Sequence, residues 1–257
     1  MKTDIEWIHI PSGTATVGST LDEIDTAYDF WKSRLLNPNY KKDFKSWLMK
    51  EYPQQIEKID KFYMSDILIT NELYGVFCNE TGARIPESIT NKQLGGNEDC
   101  PVWGVEFSEA QQFCDWLSYK TNNLITLPTE SQWEYAARSN TKRQYPWGND
   151  FNSSYCNTYE SQIGMATSVR AYKKGRSYFG LYDMGGNVEE WVNSSYMPHP
   201  GGLKIEDDLT EMLGNDYKVL KGGSFARGGD LCRVARRHGK HPNPEFRFTG
   251  FRIVKLV

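Results

Sequence analysis

The sequence predicts an α+β chain, and three observations carry that reading. Short β-rich runs open the chain and recur to its end. Two helical stretches begin with reciprocal capping patterns. Past Arg138 the chain is dense in turn residues.

Residues 7–18 read as two short strands around the Pro11-Ser12-Gly13 turn. In residues 21–50, Ile24, Ala27, Tyr28, Trp31 and Leu35 follow helical spacing. Phe44, Trp47 and Leu48 do so again after the Asn37-Pro38-Asn39 break, so a two-helix insertion is expected. Residues 56–69 read as strand, and Thr70 opens a helix carrying Leu73, Tyr74 and Phe77. Ser108-Glu109-Ala110-Gln111 reads as a capping box for a helix that buries Ala110, Phe113, Cys114 and Leu117. Thr129 with Gln132 repeats the device ahead of Trp133, Ala136 and Ala137. With no repeat or Pro/Ser-rich linker, one domain over residues 1–257 is expected, with the 21–50 insertion inside it.

A net charge of -3 removes the global signature of a nucleic-acid binder. Five cysteines without a CxxC pair argue against a disulfide framework and against a Cys-rich zinc site. The N-terminal stretch Met1-Lys2-Thr3-Asp4-Ile5-Glu6-Trp7 has no apolar core, and no run of about 18 apolar residues occurs. A cytoplasmic protein with no membrane partner is expected.

Four segments in order resemble one family. They are Leu127-Pro128-Thr129-Glu130-Ser131-Gln132-Trp133-Glu134 (running on to Arg138), Tyr145-Pro146-Trp147-Gly148, Gly180-Leu181-Tyr182-Asp183-Met184-Gly185-Gly186-Asn187-Val188-Glu189-Glu190-Trp191, and Lys221-Gly222-Gly223-Ser224 with Gly250-Phe251-Arg252. Together they resemble the formylglycine-generating-enzyme (sulfatase-modifying factor) family. The resemblance covers nearly the whole chain apart from residues 21–50. It implies a C-type-lectin-like fold with a small antiparallel sheet, two main helices and much irregular chain.

Function does not follow from fold, and the family holds several classes. Its oxidases carry copper on two cysteines after the Gly-Gly-Ser turn, and soft thiolates suit copper(I). The resemblance puts the second on Cys232 and the first on Arg227. A guanidinium accepts no metal bond, which leans the chain away from that chemistry. Sulfoxide synthases of the family need an iron-binding helical bundle with histidines, and residues 21–50 hold none. His238 and His241 are spaced to share a metal but sit in a Gly- and Pro-containing loop, where they read as solvent-facing.

The third class displays a variable C-terminal surface, as in variable proteins of diversity-generating retroelements. Cys232-Arg233-Val234-Ala235-Arg236-Arg237 between the Gly-Gly-Ser and Gly-Phe-Arg segments resembles that frame. The resemblance implies displayed, ligand-binding residues Phe225, Ala226, Arg227, Gly228, Leu231, Val234, Arg236, His238, Gly239, Lys240, His241, Phe246 and Phe248. Such a mixture suits adaptable recognition. Trp103 and Tyr196 are expected beside that face. Arg237 and Arg252 read as internal ion pairs, while Arg227 and Arg236 read as exposed contacts. The family also implies a structural calcium held by the carboxylates of Asp183 and Glu190 and the carbonyls of Gly186 and Val188. The alternative there is a tight turn in which Asp183 caps backbone amides and Glu190 meets an arginine. The leading expectation is a non-catalytic protein binding a protein or other macromolecular ligand through residues 225–248. The alternatives are a metal-dependent oxidase and a structural or regulatory partner acting through residues 21–50.

Overall fold

The computed structural model describes residues 5–257; residues 1–4 of the N-terminal stretch read above lie outside them. Strands β1 (Trp7–Ile10) and β2 (Gly13–Val17) precede helices α1 (Leu21–Trp31) and α2 (Lys41–Met49). Then come β3 (Gln55–Ile59), β4 (Phe62–Ser65), α3 (Asn71–Thr81), α4 (Glu87–Thr90), α5 (Phe107–Thr121), β5 (Ile125–Thr126) and α6 (Glu130–Arg138). The turn-rich remainder carries β6 (Glu189–Ser195), α7 (Asp208–Leu213), β7 (Lys218–Lys221), β8 (His238–Gly239), β9 (Thr249–Gly250) and β10 (Val254–Leu256).

The strands form a sheet in the order β1-β4-β10-β5, a β2-β3 pair, and a second sheet β8-β7-β6-β9. All pairings are antiparallel except β6 with β9. The strand expected over residues 56–69 is therefore two strands. The turn at Asp60 and Lys61 sends β3 to β2 and β4 to a different sheet.

Helix α6 starts as its sequence dictates: Gln132 N donates to Thr129 Oγ1, and Thr129 N donates to Gln132 Oε1 at 2.9 Å. Helix α5 starts two residues earlier than expected. Glu106, not Ser108, is its cap, and the Glu106 N–H donates to Glu109 Oε2 at 2.8 Å. A carboxylate can cap as well as a hydroxyl, and here it precedes the first apolar residue, Phe107. Helix α7 was not foreseen. Asp207 caps it reciprocally with Thr210, a short-range signal hidden in a polar stretch.

The insertion is built into the core. Ile24, Ala27 and Trp31 of α1 and Phe44 and Leu48 of α2 pack with Tyr145, Cys156 and Cys232. Trp31 Nε1 donates to Tyr145 Oη at 3.0 Å. At the insertion's end, Arg233 grips both oxygens of buried Glu51 at 2.8 and 2.9 Å. A second cluster stacks Tyr74 of α3 on Phe113 of α5, with Phe251 against both. Among the described residues no helix is long and apolar enough to cross a membrane.

Candidate functional site

Strand β7 runs into Gly222 and Gly223, at φ +88° and +71°. A Cβ on Gly223 would lie 2.9 Å from that of Leu231, so the turn requires glycine on two counts. The turn throws residues 224–248 back across the molecule, where ion pairs pin them. Arg237 forks Glu130 of α6 at 2.8 and 2.9 Å, and Arg252 forks Glu190 of β6 at 2.6 and 3.0 Å. Lys221 lies 3.0 Å from Glu134 and 3.5 Å from Glu130. Burial alone would raise the Glu130 carboxyl, but Arg237 and Lys221 overcome it and hold the group at about 2.

The thirteen residues expected on an open face do not form one. Val234 is fully buried in the central core, and Phe225 and Phe248 bury each other with ring centroids 4.3 Å apart. Leu231 is buried beneath the Gly223 turn, and Gly239 lies against the Tyr217 ring. Trp103 and Tyr196 lie under this layer: Trp103 meets Phe248 edge-on, and Tyr196 stacks on Tyr217 below Arg237. Apolar side chains at these positions follow the core rather than the surface. Ala226, Gly228, His238, Lys240, His241 and Phe246 keep partial exposure. Lys240 is paired with Glu106.

Arg227 and Arg236, expected to be exposed, are buried. Arg236 Nη2 donates to Asp230 Oδ2 at 3.2 Å and Nη1 to the Trp47 carbonyl at 3.4 Å. His238 is not solvent-facing either: its Nδ1 lies 2.6 Å from Glu189 Oε1. Burial pushes its pKa down, with Arg227 and Arg236 adding to that and Glu189 opposing it. His241 accepts from Asn243 N at 3.0 Å through its own Nδ1, and burial followed by Arg227 lowers its pKa. The two imidazoles are thus held separately, by different partners.

What the chain does build is a cleft of about 90 Å³ between the insertion and the C-terminal segment. Leu35, Leu36, Tyr40 and Trp47 form one wall. Arg227, Gly228, Leu231, Arg236, His238, His241 and Phe246 form the other, and Asp207, Asp208 and Leu209 close the end with Lys50. Lys50 is buried, paired with Asp207, and donates to Tyr217 Oη at 2.9 Å. Sequence reading missed the insertion wall, the α7 end and Glu189. The apolar spacing of residues 35–47 was visible, but nothing local said which face would meet the C-terminal segment.

Within this cleft Arg227 is held but not satisfied. Its guanidinium carbon sits 3.6 Å above the Phe246 ring centroid. Glu189 Oε2 lies 3.6 Å from its Nε, an ion-pair distance, while Nε and Nη2 make no hydrogen bond. A buried donor without a hydrogen bond is costly, so Arg227 is the least satisfied cation on the cleft wall.

The Asp183 turn is the other notable site. Asp183 adopts φ 55° and is buried, and one carboxylate oxygen, Oδ2, has no partner. Burial pushes its pKa up to about 8; Arg252 opposes this, Glu190 adds to it, and a hydrogen bond from Asn187 opposes it. An unpartnered buried carboxylate beside a second one fits a hard cation. Glu190, however, already receives Arg252 and the Trp133 indole N–H at 2.9 Å. Asp183 thus keeps one open oxygen, and among the described residues no group of three or more His, Cys, Asp or Glu side chains is gathered to hold a metal.

Residues 2–257 match the model of the sulfatase-modifying factor enzyme 1-like domain. The chain belongs to this family. Curated relatives include the hercynine oxygenase of Mycobacterium tuberculosis, 32% identical over 174 residues, covering 64% of this chain and 40% of that protein. The inactive Cα-formylglycine-generating enzyme 2 of Mus musculus is 32% identical over 170 residues, covering 60% of this chain and 48% of that one. The chain thus spans less than half the length of these relatives. Among solved structures, PvdO from Pseudomonas aeruginosa superposes with a TM-score of 0.71 at 18% identity, covering 98% of this chain and 94% of that one. Treponema denticola variable protein 1 superposes with a TM-score of 0.69 at 18% identity, covering 98% and 95%. These likenesses establish the α+β, C-type-lectin-like fold of the sulfatase-modifying factor family.

In that frame the two positions matched to the copper cysteines are dissimilar. Arg227 lines the cleft, whereas Cys232 is fully buried, away from its walls. Burial first, then a hydrogen bond with Cys156, raises the Cys232 thiol well above its usual range. It therefore stands as a thiol packed under the insertion rather than as an available thiolate.

Proposed function

We propose that this member of the sulfatase-modifying factor family is a ligand-binding protein whose site is the cleft between the insertion and residues 225–248, with Arg227 as the anchor. The observation that carries the reading is a cleft with apolar walls, lined by a buried guanidinium at a position where copper chemistry would require a thiolate. Binding is by complementarity: the apolar walls exclude water, and Arg227 gives the site a positive charge. The insertion is then one wall of the site, which unites the display reading with the reading in which residues 21–50 make the contact. A calcium ion held by Asp183 and the Gly186 and Val188 carbonyls, with Glu190 beside it, would stiffen the turn behind Gly222.

A thermal-shift panel of small acids, amines and neutral compounds tests the reading. Compounds that stabilise the wild type should lose that effect in Leu36→Trp, which fills the cleft from the insertion wall. No stabilising compound of any charge class, or equal stabilisation of Leu36→Trp, would reject the cleft as the site.

The oxidase alternative draws on the likeness to hercynine oxygenase. Elemental analysis of the purified protein separates the two. Stoichiometric copper or iron, lost in Cys232→Ser or in the His238→Ala, His241→Ala double variant, would favour oxidation over binding.

A further inference from the structure

We infer that the cleft takes a neutral hydroxyl on an aromatic body, as in a phenol, and that His238 Nε2 accepts the hydroxyl proton. This rests on the cleft being the binding site, as proposed above, and adds the class of ligand.

His238 is fixed at one end and free at the other. Its Nδ1 lies 2.6 Å from Glu189 Oε1. Burial would raise the Glu189 carboxyl, but His238 and Arg227 overcome it and hold the group low, so it is ionised and can only accept. The proton between them therefore belongs to Nδ1, and in the neutral ring Nε2 is a bare acceptor. An imidazole of ordinary value, 6.5, is already mostly neutral at about pH 7.5, and burial favours the neutral ring further.

That acceptor can be reached. Among the described residues Nε2 makes no hydrogen bond and, unlike Nε and Nη2 of Arg227, it is not sealed from solvent. The side chain keeps 17% exposure, on a wall of the cleft. The carboxylates around the cleft offer no comparable acceptor: Asp230 is taken by Arg236, Asp207 by Lys50, and Asp208 is exposed to water. His241 is arranged the other way round. Its Nδ1 accepts from Asn243 N at 3.0 Å, so its neutral ring carries the proton on Nε2 and presents a donor.

The surroundings of His238 select a neutral donor. Arg227 and Arg236 disfavour a proton on the ring, and an ammonium placed against Nε2 would meet the same repulsion. A hydroxyl that donates gathers partial negative charge on its oxygen, which the same cations favour. Leu35, Leu36, Trp47 and Phe246 supply walls for an aromatic body, and Leu36 is 40% exposed although it lines the cleft.

Isothermal titration with 4-methylphenol tests the class. The comparators are 4-methylanisole, which keeps the body and loses the donor, and 4-methylbenzylamine, which brings an ammonium. The phenol should bind the wild type roughly threefold to tenfold more tightly than either, the ratio that one net hydrogen bond supplies. His238→Asn keeps an N–H for Glu189 but has no atom at the Nε2 position, so the phenol-to-anisole ratio should fall to about one. Packing lost in the variant weakens both compounds and leaves that ratio alone. Nitrogen-15 NMR of the wild-type imidazoles supplies a measurement that needs no folded variant. His238 Nε2 should appear as an unprotonated nitrogen whose resonance moves with the phenol and not with the anisole.

A protonated His238 Nε2 in the free protein at neutral pH would overturn the acceptor. Anisole binding as tightly as the phenol, or a ratio unchanged in His238→Asn, would overturn the role of His238 while leaving the cleft as the site. Tighter binding of the amine would overturn the neutral donor. No binding of the phenol at millimolar concentration would overturn the class, and the thermal-shift panel would still report whether the cleft binds something else.

Discussion

If Arg227 is kept for a ligand, its removal should cost the fold less than that of Arg237 on the same segment. Both are buried arginines on the same segment. Arg237 makes two bonds to Glu130, and Nη1 donates to the carbonyls of Met197 at 2.8 Å and Lys50 at 3.3 Å. Arg237→Met would leave Glu130 buried with only Lys221, 3.5 Å away. Breaking such a pair costs about 3–5 kcal/mol. For a chain of this size that lowers Tm by roughly 6–20 °C. Arg227→Met loses a cation–π contact of about 1–2 kcal/mol. It also removes two unsatisfied buried donors, each costing about 1–3 kcal/mol. Against that relief it leaves buried Glu189 with His238 alone in place of a 3.6 Å ion pair. These terms oppose one another, so the drop in Tm should be clearly smaller than that of Arg237→Met. Differential scanning calorimetry of both variants at neutral pH measures the contrast. A drop in Arg227→Met equal to that in Arg237→Met would mean that Arg227 is structural, and the reasoning would fail.

Three further predictions follow from the buried groups. Because the Glu130 carboxyl sits at about 2 in the fold against an ordinary value near 4.5, its contribution is present above pH 4.5 and is lost as pH falls toward 2. Denaturant titrations across that window should show about 3 kcal/mol of lost stability in the wild type and a flatter profile in Glu130→Gln. Calcium at a hundredfold excess over its dissociation constant should raise stability by about 2.7 kcal/mol; Asp183→Asn should abolish the increase, and a wild type indifferent to calcium would dismiss that ion. Deleting residues 21–50 should leave the chain unfolded by circular dichroism, since α1 and α2 cover Tyr145, Cys156 and Cys232; a folded product would show the insertion to be an appendage.

Local signals in the sequence transferred well to the structure. The Thr129–Gln132 box, the Thr70 helix start, the two insertion helices and the Gly222-Gly223 turn depend on residues within a few positions of each other. Where two caps competed, as with Glu106 and Ser108, the nearer carboxylate won. The site was less legible because its partners lie far apart along the chain. Arg233 meets Glu51 across 182 positions, and Arg236 meets Trp47 across 189. No periodicity encodes those pairings. The C-terminal residues share one segment, but the burial of Phe225, Arg227, Leu231, Val234, Arg236 and Phe248 depends on those distant partners. An arginine in a polar, turn-rich segment looks exposed until the opposing acid is known.

The most direct test of the account is amide hydrogen exchange on the wild type, with and without a compound from the thermal-shift panel. The account predicts protection confined to residues 35–50, 207–209 and 225–248, the walls and end of the Arg227 cleft. Protection instead at residues 22–31 and 144–151, which line a separate cavity, would contradict it.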